Sequence, residues 1–214
     1  LVKRKNIRLL LRAVRILKSA NKWQNRQLVL VGPESPGMSG GQDIRDAVAD
    51  LRLTDDVVFA GHVPERCLPV LYARASAFAF PSMYEGFGLP LVEAMACGSP
   101  VVATHGSSVS DVVGSAGVLV PAGDEAGFAS GLQAILQDAE YRAELVKRGL
   151  ERAASYTWDR TAEGTLRVYQ QVMGLQGTRS PESLHAVLAA YAGSPAETSL
   201  LSGHEGDRTS GDHP

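Results

Sequence analysis

The stretch "PSMYEGFGLPLVEAMACGSPVVAT", residues 81–104, sets a glycine-flanked turn between two apolar segments. One glutamate, Glu85, lies in the turn and another, Glu93, in the segment behind it. Pro90 suits the first helical position, where a missing N–H costs nothing and φ is already near the helical value. Leu91, Val92, Ala94, Met95 and Ala96 then favour a short buried helix. Gly98 is expected to end it in the left-handed conformation, and Pro100 forbids its continuation. Glu93 is therefore expected in the first turn of a helix that starts at "EGFG".

Free N–H groups at such a helix start, together with the helix dipole, make an anion site. Gly86 and Gly88 remove side chains, so that a ligand's oxygens can approach the backbone. Glu85 and Glu93 are expected to face one crevice there. An ionised carboxylate only accepts hydrogen bonds, and a vicinal diol can offer it both O–H groups. An anion site between two such carboxylates fits a sugar joined through phosphate to a ribose. The same residues also have a plainer reading. Glu93 would then complement the helix dipole, worth about 0.3–1 kcal/mol, and the glycines would only tighten a turn.

Working outward, Ile7, Leu10, Leu11, Val14 and Leu17 recur at helical spacing and predict a helix over residues 6–20. Apolar runs at 26–32, 56–61, 76–82, 99–104 and 116–123 read as strands, the first as one buried on both faces. Helices are predicted over 42–51, 65–74, 90–97, 125–137, 140–154 and 159–173, with Pro69 in the first turn of the second of these or kinking it. Strand and helix alternate with short connections, which predicts an α/β fold with a Rossmann-like, doubly wound parallel sheet and helices on both faces. Ligands bind such sheets at the carboxyl ends of the strands. The predicted strands end at Gly32, Gly61, Ser82, Thr104 and Gly123, which would outline one crevice. From about residue 174 the chain is rich in Gly, Ser, Pro and Ala, and 174–214 reads as a disordered tail with at most a short helix at 183–191.

The 214 residues suffice for one domain with a sizeable core. The formal net charge of −2 lacks the basic excess of a general nucleic-acid binder, so no nucleic-acid partner is expected. Cys67 and Cys97 have no metal-ligand spacing and read as buried thiols in a reducing compartment. No eighteen-residue apolar run and no signal peptide is visible, which points to a cytoplasmic chain. The histidines, at 62, 105, 185, 204 and 213, are scattered, there is no Asp-x-Asp motif, and no metal is expected. The chain opens at Leu1 without methionine and enters a helix almost at once, as a chain cut into would.

Glu85 and Glu93 have the E-x7-E spacing of retaining GT-B glycosyltransferases, and "SMYEGFGLPLVEAMACGSPVVAT" resembles the glycosyltransferase family 4 version throughout. The likeness extends through "LVKRKNIRLLLRA", "LVLVG", "VVFAGHVPERCLPVLYARASAFAFPS", "DVVGSAGVLVPAGD" and "YTWDRTAEGTLRVYQQV", in the family's order, over residues 1–173. The resemblance implies that 1–173 is the carboxy-terminal, nucleotide-sugar-binding domain of a two-domain enzyme, and that the amino-terminal acceptor domain is missing. By the same resemblance, Glu93 would bind the ribose hydroxyls and Glu85 the hydroxyls of the transferred sugar. The N–H groups of Gly86, Phe87, Gly88 and Leu89 would hold sugar and phosphate oxygens. Gly61, His62 and Val63 would lie along the base, and Lys5 would pair with the diphosphate. Lys3 and Arg4 are left as surface.

The implied reaction moves a hexose from a nucleotide diphosphate to an acceptor hydroxyl with retention. GDP-mannose is the favoured donor and a UDP-sugar the alternative. No cofactor is implied. The acceptor would be a glycan, a lipid-linked sugar or a small molecule, and contact with the inner face of the plasma membrane would run through the missing domain. Three departures stand out. The arginine of "G-R-L-x-x-x-K" would precede Leu1, Asp111 stands where the family commonly has glutamate, and Ser110 where it often has proline. A second reading is a truncated nucleotide-sugar binding module, or inactive fragment. A nicotinamide oxidoreductase would need G-x-G-x-x-G after the first strand, and "VGPESPGMSGG" is not that pattern.

Overall fold

The computed structural model describes residues 3–32 and 41–173. The chain divides into two units, Leu1–Trp158 and Asp159–Pro214, each described by itself.

Continuous apolar runs become the strands of the first unit: β1 (Leu28–Val31), β2 (Val57–Gly61), β3 (Phe78–Phe80), β4 (Val101–Thr104) and β5 (Gly117–Val120). Each is shorter than the predicted run: Asp56 drops out of β2, Ser99 and Pro100 out of β4, and Gly61 stays in the ladder opposite Val31. Every pairing is parallel. Among the described residues β1 and β2 form one ladder and β3-β4-β5 another, and no hydrogen-bonded ladder joins the two. They share a core: Leu30 and Val57 are buried in the same cluster as Val102 and Val120.

The helices are α1 (Ile7–Ser19), α2 (Gly41–Asp50), α3 (Leu68–Arg74), α4 (Leu89–Ala96), α5 (Ser107–Val113), α6 (Glu125–Gln137) and α7 (Ala139–Ala153). Side chains alternate across a strand, and β4 shows where they go. Val102 joins the cluster of Leu11, Val14 and Leu17 of α1 and Phe128, Leu132 and Ile135 of α6. Val101 and Ala103 join Leu91 and Met95 of α4 and Val109, Val112 and Val113 of α5. Helices cover both faces, as a Rossmann-like α/β fold requires. All four residues of β4 are buried in consequence, whereas β1, expected to be buried on both faces, leaves Val29 and Val31 exposed.

Two details differ from the expected helices. A single-turn 3₁₀ helix, Glu65–Cys67, precedes α3, with Pro69 at the second position of α3, in its first turn; Cys67, expected to be buried, is exposed there. α5 occupies residues for which neither helix nor strand is predicted. The described part of the second unit is one helix, α8 (Trp158–Val172). Among the described residues no helix is long and apolar enough to cross a membrane. Residues 174–214, with the expected tail and short helix, lie outside the described residues.

Candidate functional site

Eight residues carry the chain from the end of β3 to the start of α4, and glycine decides their path. Gly88, just ahead of the helix, has φ +102°, and a Cβ there would come within 2.9 Å of Leu91 Cδ1. Both features exclude a side chain. At the other end of α4, Gly98 is left-handed (φ +74°). Its N–H donates to the Met95 carbonyl and that of Ser99 to the Ala94 carbonyl, at 3.0 and 2.9 Å. This pair of bonds closes the helix as a Schellman motif. Gly86 is different. Its φ is outside the left-handed region, and a Cβ there would meet nothing within 4 Å. Neither conformation nor packing within the chain demands glycine at 86; its effect is to leave backbone bare.

Among the described residues, the N–H groups of Gly86, Phe87, Gly88 and Leu89 donate no hydrogen bond. Unpaired donors are expected at a helix start, and Pro90 contributes none. The start of α5 anchors the other side of the turn. Ser108 Oγ lies 2.9 Å from the Glu85 carbonyl and 3.0 Å from that of Phe87 and donates to them, while the Glu85 N–H donates to Ser107 Oγ at 3.3 Å. The Phe87 ring meets the Tyr156 ring edge-on, centroids 5.6 Å apart. The carbonyls are tied down and the N–H groups are left open.

Glu85 sits among donors. Lys5 Nζ donates to its Oε1 at 2.7 Å and Ser82 Oγ to the same oxygen at 2.5 Å; Arg4 Nη1 donates to Oε2 at 2.8 Å. The cations arrive on the short 3₁₀ turn Lys3–Lys5, which is held when the Met83 N–H donates to the Arg4 carbonyl at 2.9 Å. Lys5 Nζ also lies 5.0 Å from the centroid of the Phe80 ring. Burial pushes the Glu85 carboxyl up, but donation from Lys5, Ser82 and Arg4, with the Lys5 charge, outweighs it and holds the group below its ordinary value. The expectation that Arg4 is only surface is corrected here: half exposed, it still binds Glu85 and reaches the Tyr84 carbonyl at 3.4 Å.

Glu93 lies apart from this cluster. α4 begins one residue before Pro90, so Glu93 is its fifth residue, and no acidic group occupies the first turn. The expected first-turn position is thereby corrected, and with it the dipole reading, since that effect fades beyond the first turn. The exposed Glu93 carboxylate accepts instead from Tyr72 Oη of α3 at 3.1 Å. The Tyr72 ring stands edge-on to Phe78, centroids 5.2 Å apart. Burial first, then the adjacent Glu93 charge and hydrogen bond, push the Tyr72 hydroxyl's ionisation well up, so it stays a donor.

Gly61 closes β2 with φ +63°, and its carbonyl accepts from the Gly32 N–H at 2.8 Å. His62 is exposed and Val63 half-buried. The structure therefore brings Lys5 and Glu85 together beside the Gly86–Leu89 donors. Among the described residues no hydrogen bond or ion pair joins that group to Glu93 or to Gly61–Val63. Where the family pattern differs, Ser110 Oγ accepts from the Gly106 N–H at 2.9 Å, and the Asp111 carbonyl accepts from Arg152 Nη2 and, at 3.4 Å, from Tyr156 Oη. Sequence reasoning missed Tyr72, Ser107 and Ser108, left Arg4 as surface, and placed Ser82 at the crevice only as a strand end. Only Ser82, three residues before Glu85, carried a local signal.

Comparison with known proteins shows the chain's family and fold. Residues 1–152 match the family described as "Glycosyl transferases group 1". The chain is 37% identical over 171 residues to O-antigen chain mannosyltransferase B of Escherichia coli, covering 78% of this chain and 43% of that protein. Its fold is similar to that of sucrose-phosphate synthase from Thermosynechococcus elongatus, with a TM-score of 0.71 and 32% identity over 82% of this chain and 44% of that one. It is also similar to HepE of Anabaena in complex with UDP and glucose, with a TM-score of 0.68 and 23% identity over 80% and 46% of the two chains. The chain thus spans less than half the length of each. With residues 1–152 matched and more than a third of the aligned positions shared with a curated transferase, the chain belongs to the group 1 glycosyl transferases.

Proposed function

We propose that residues 1–173 form the nucleotide-sugar-binding domain of a retaining hexosyltransferase of family 4, whose acceptor is held by a second domain outside this chain. The observation that carries this reading is the row of open N–H groups at Gly86–Leu89 beside Glu85, with Lys5 2.7 Å from that carboxylate. The N–H groups take sugar and phosphate oxygens, Lys5 takes the diphosphate, and Glu85 accepts from hydroxyls of the sugar. Glu93 accepts from the ribose, and Gly61–Val63 runs along the base. As the bond to the diphosphate breaks, negative charge grows on the leaving oxygens. Donors fixed in advance stabilise it without reorganising, the arrangement that contributes most to many enzymes.

Mannose from GDP-mannose is the favoured donor, following the Escherichia coli mannosyltransferase. A UDP-sugar is the alternative, since a neighbour of the same fold was solved with UDP and glucose. A second reading, supported by the same open N–H groups, is a nucleotide-sugar binding module without turnover of its own.

The test is calorimetric titration of the chain with GDP, UDP and ADP, with Glu93→Ala alongside. Binding of one nucleotide that weakens in the variant supports the donor site and names the base. Equal binding by wild type and variant removes Glu93 from the site. Turnover of the nucleotide sugar by the 214-residue chain would overturn the binding-module reading.

A further inference from the structure

The carboxylate assigned to sugar recognition already accepts three hydrogen bonds from within the chain. Glu85 Oε1 accepts from Lys5 and Ser82, and Oε2 accepts from Arg4. Its side chain is 10% exposed, against 32% for Lys5 and 50% for Arg4, so the cations can swing outward more easily than the carboxylate. Two cations face one carboxylate, beside four N–H groups that donate to nothing in the described chain. A diphosphate entering that row of donors competes with Glu85 for the same two cations, because both anions bind them through charge-assisted hydrogen bonds.

We propose that Glu85 is a built-in competitor for the diphosphate: Arg4 and Lys5, which bind it within the chain, pass to the phosphates of an entering ligand, which frees its oxygens for the hydroxyls of the sugar. The exchange is non-covalent and rests on the nucleotide-sugar reading above. Its consequence is discrimination between donor and product. A nucleoside diphosphate alone takes the cations and leaves a largely buried carboxylate with Ser82 as its remaining donor. A nucleotide sugar takes the cations and returns hydroxyl donors in their place. Leaving a buried charge short of partners is costly, so the intact donor is held and the spent diphosphate is released. Arg4 enters the site as a second cation with a defined position.

The experiment titrates wild type, Glu85→Gln, Arg4→Gln and Glu125→Gln with GDP and GDP-mannose, and with UDP and UDP-glucose. Glu125 accepts from Arg12 at 2.6 Å, so its variant removes the same charge from an ion pair elsewhere. Glu85→Gln is expected to tighten the free diphosphate by about 5–10-fold and to weaken the nucleotide sugar by a similar factor. Arg4→Gln should weaken the free diphosphate about 3–10-fold, and Glu125→Gln should move neither ligand. If Glu85→Gln weakens both ligands alike, Glu85 merely props the cations, and the competition is overturned. An unchanged diphosphate affinity in Glu85→Gln or in Arg4→Gln overturns it as well. Failure of every nucleotide to bind wild type would instead remove the nucleotide-sugar reading, and this inference with it.

Discussion

Tyr72 gives Glu93 an orienting contact that its position on the helix does not. Past the first turn the helix dipole no longer favours a carboxylate, and an exposed glutamate has several rotamers. The 3.1 Å hydrogen bond from Tyr72 engages one oxygen, Oε2. Tyr72→Phe keeps the ring on Phe78 and removes only that donor. The expected result is a nucleoside diphosphate affinity lowered about 3–10-fold, with an unchanged thermal midpoint, read by titration and by calorimetric melting. Glu85 allows a prediction in pH. Its carboxyl is held below the ordinary value in the folded state, chiefly by hydrogen bonds from Lys5, Ser82 and Arg4 that overcome burial. The stabilisation is therefore fully present above the unfolded-state value and is lost as pH falls through the folded one. Urea unfolding from pH 7 down to below about pH 4 should show a larger loss of stability for wild type than for Glu85→Gln. Parallel curves would contradict the assignment.

The turn between β3 and α4 depends on its neighbours more than on its own composition. Ser108 Oγ reaches two of its carbonyls, and Gly88 permits its last step. Ser108→Ala should cost about 1 kcal/mol of stability and weaken ligand binding, because the carbonyls then lose their tether; denaturant unfolding and titration read the two effects. Gly88→Ala places a Cβ 2.9 Å from Leu91 Cδ1 in a left-handed conformation and should destabilise by about 1–3 kcal/mol. Gly86→Ala, whose Cβ meets nothing, should leave the melting temperature in place and act on ligand binding alone. A matching loss of stability there would show that glycine 86 serves the fold.

For the molecule as a whole, binding and folding are linked. A ligand that binds only the folded chain stabilises it by about 2.7 kcal/mol at one hundred times its dissociation constant. The matching nucleoside diphosphate should raise the melting temperature of wild type and raise it less for Glu93→Ala. The two parallel ladders rest on a shared core, with α1 and α6 on one face of β4 and α4 and α5 on the other. Both predicted layers were readable in the alternation of apolar runs and amphipathic helices. α5 was not. Its buried set, Val109, Val112 and Val113, is β-branched and favours a strand by propensity; packing against β4 makes it a helix.

Local chemistry alone determines a good part of this protein. Apolar runs closed by glycine are strands, with one face of β1 in the core at Leu30 and the other exposed at Val29 and Val31. The N–H groups of 86–89 stay open where Gly88 and Pro90 lead into a helix. Tertiary structure decides which charges meet. Arg4 and Lys5 reach Glu85 across 81 and 80 residues, and Tyr72 finds Glu93 from a different helix, 21 residues away. No periodicity records such pairings, because each depends on where two separately formed elements come to rest. Even the position of Glu93 within its helix followed from a start one residue earlier than Pro90 suggested. The open N–H groups are thus local in origin, while the electrostatic balance around them belongs to the folded chain.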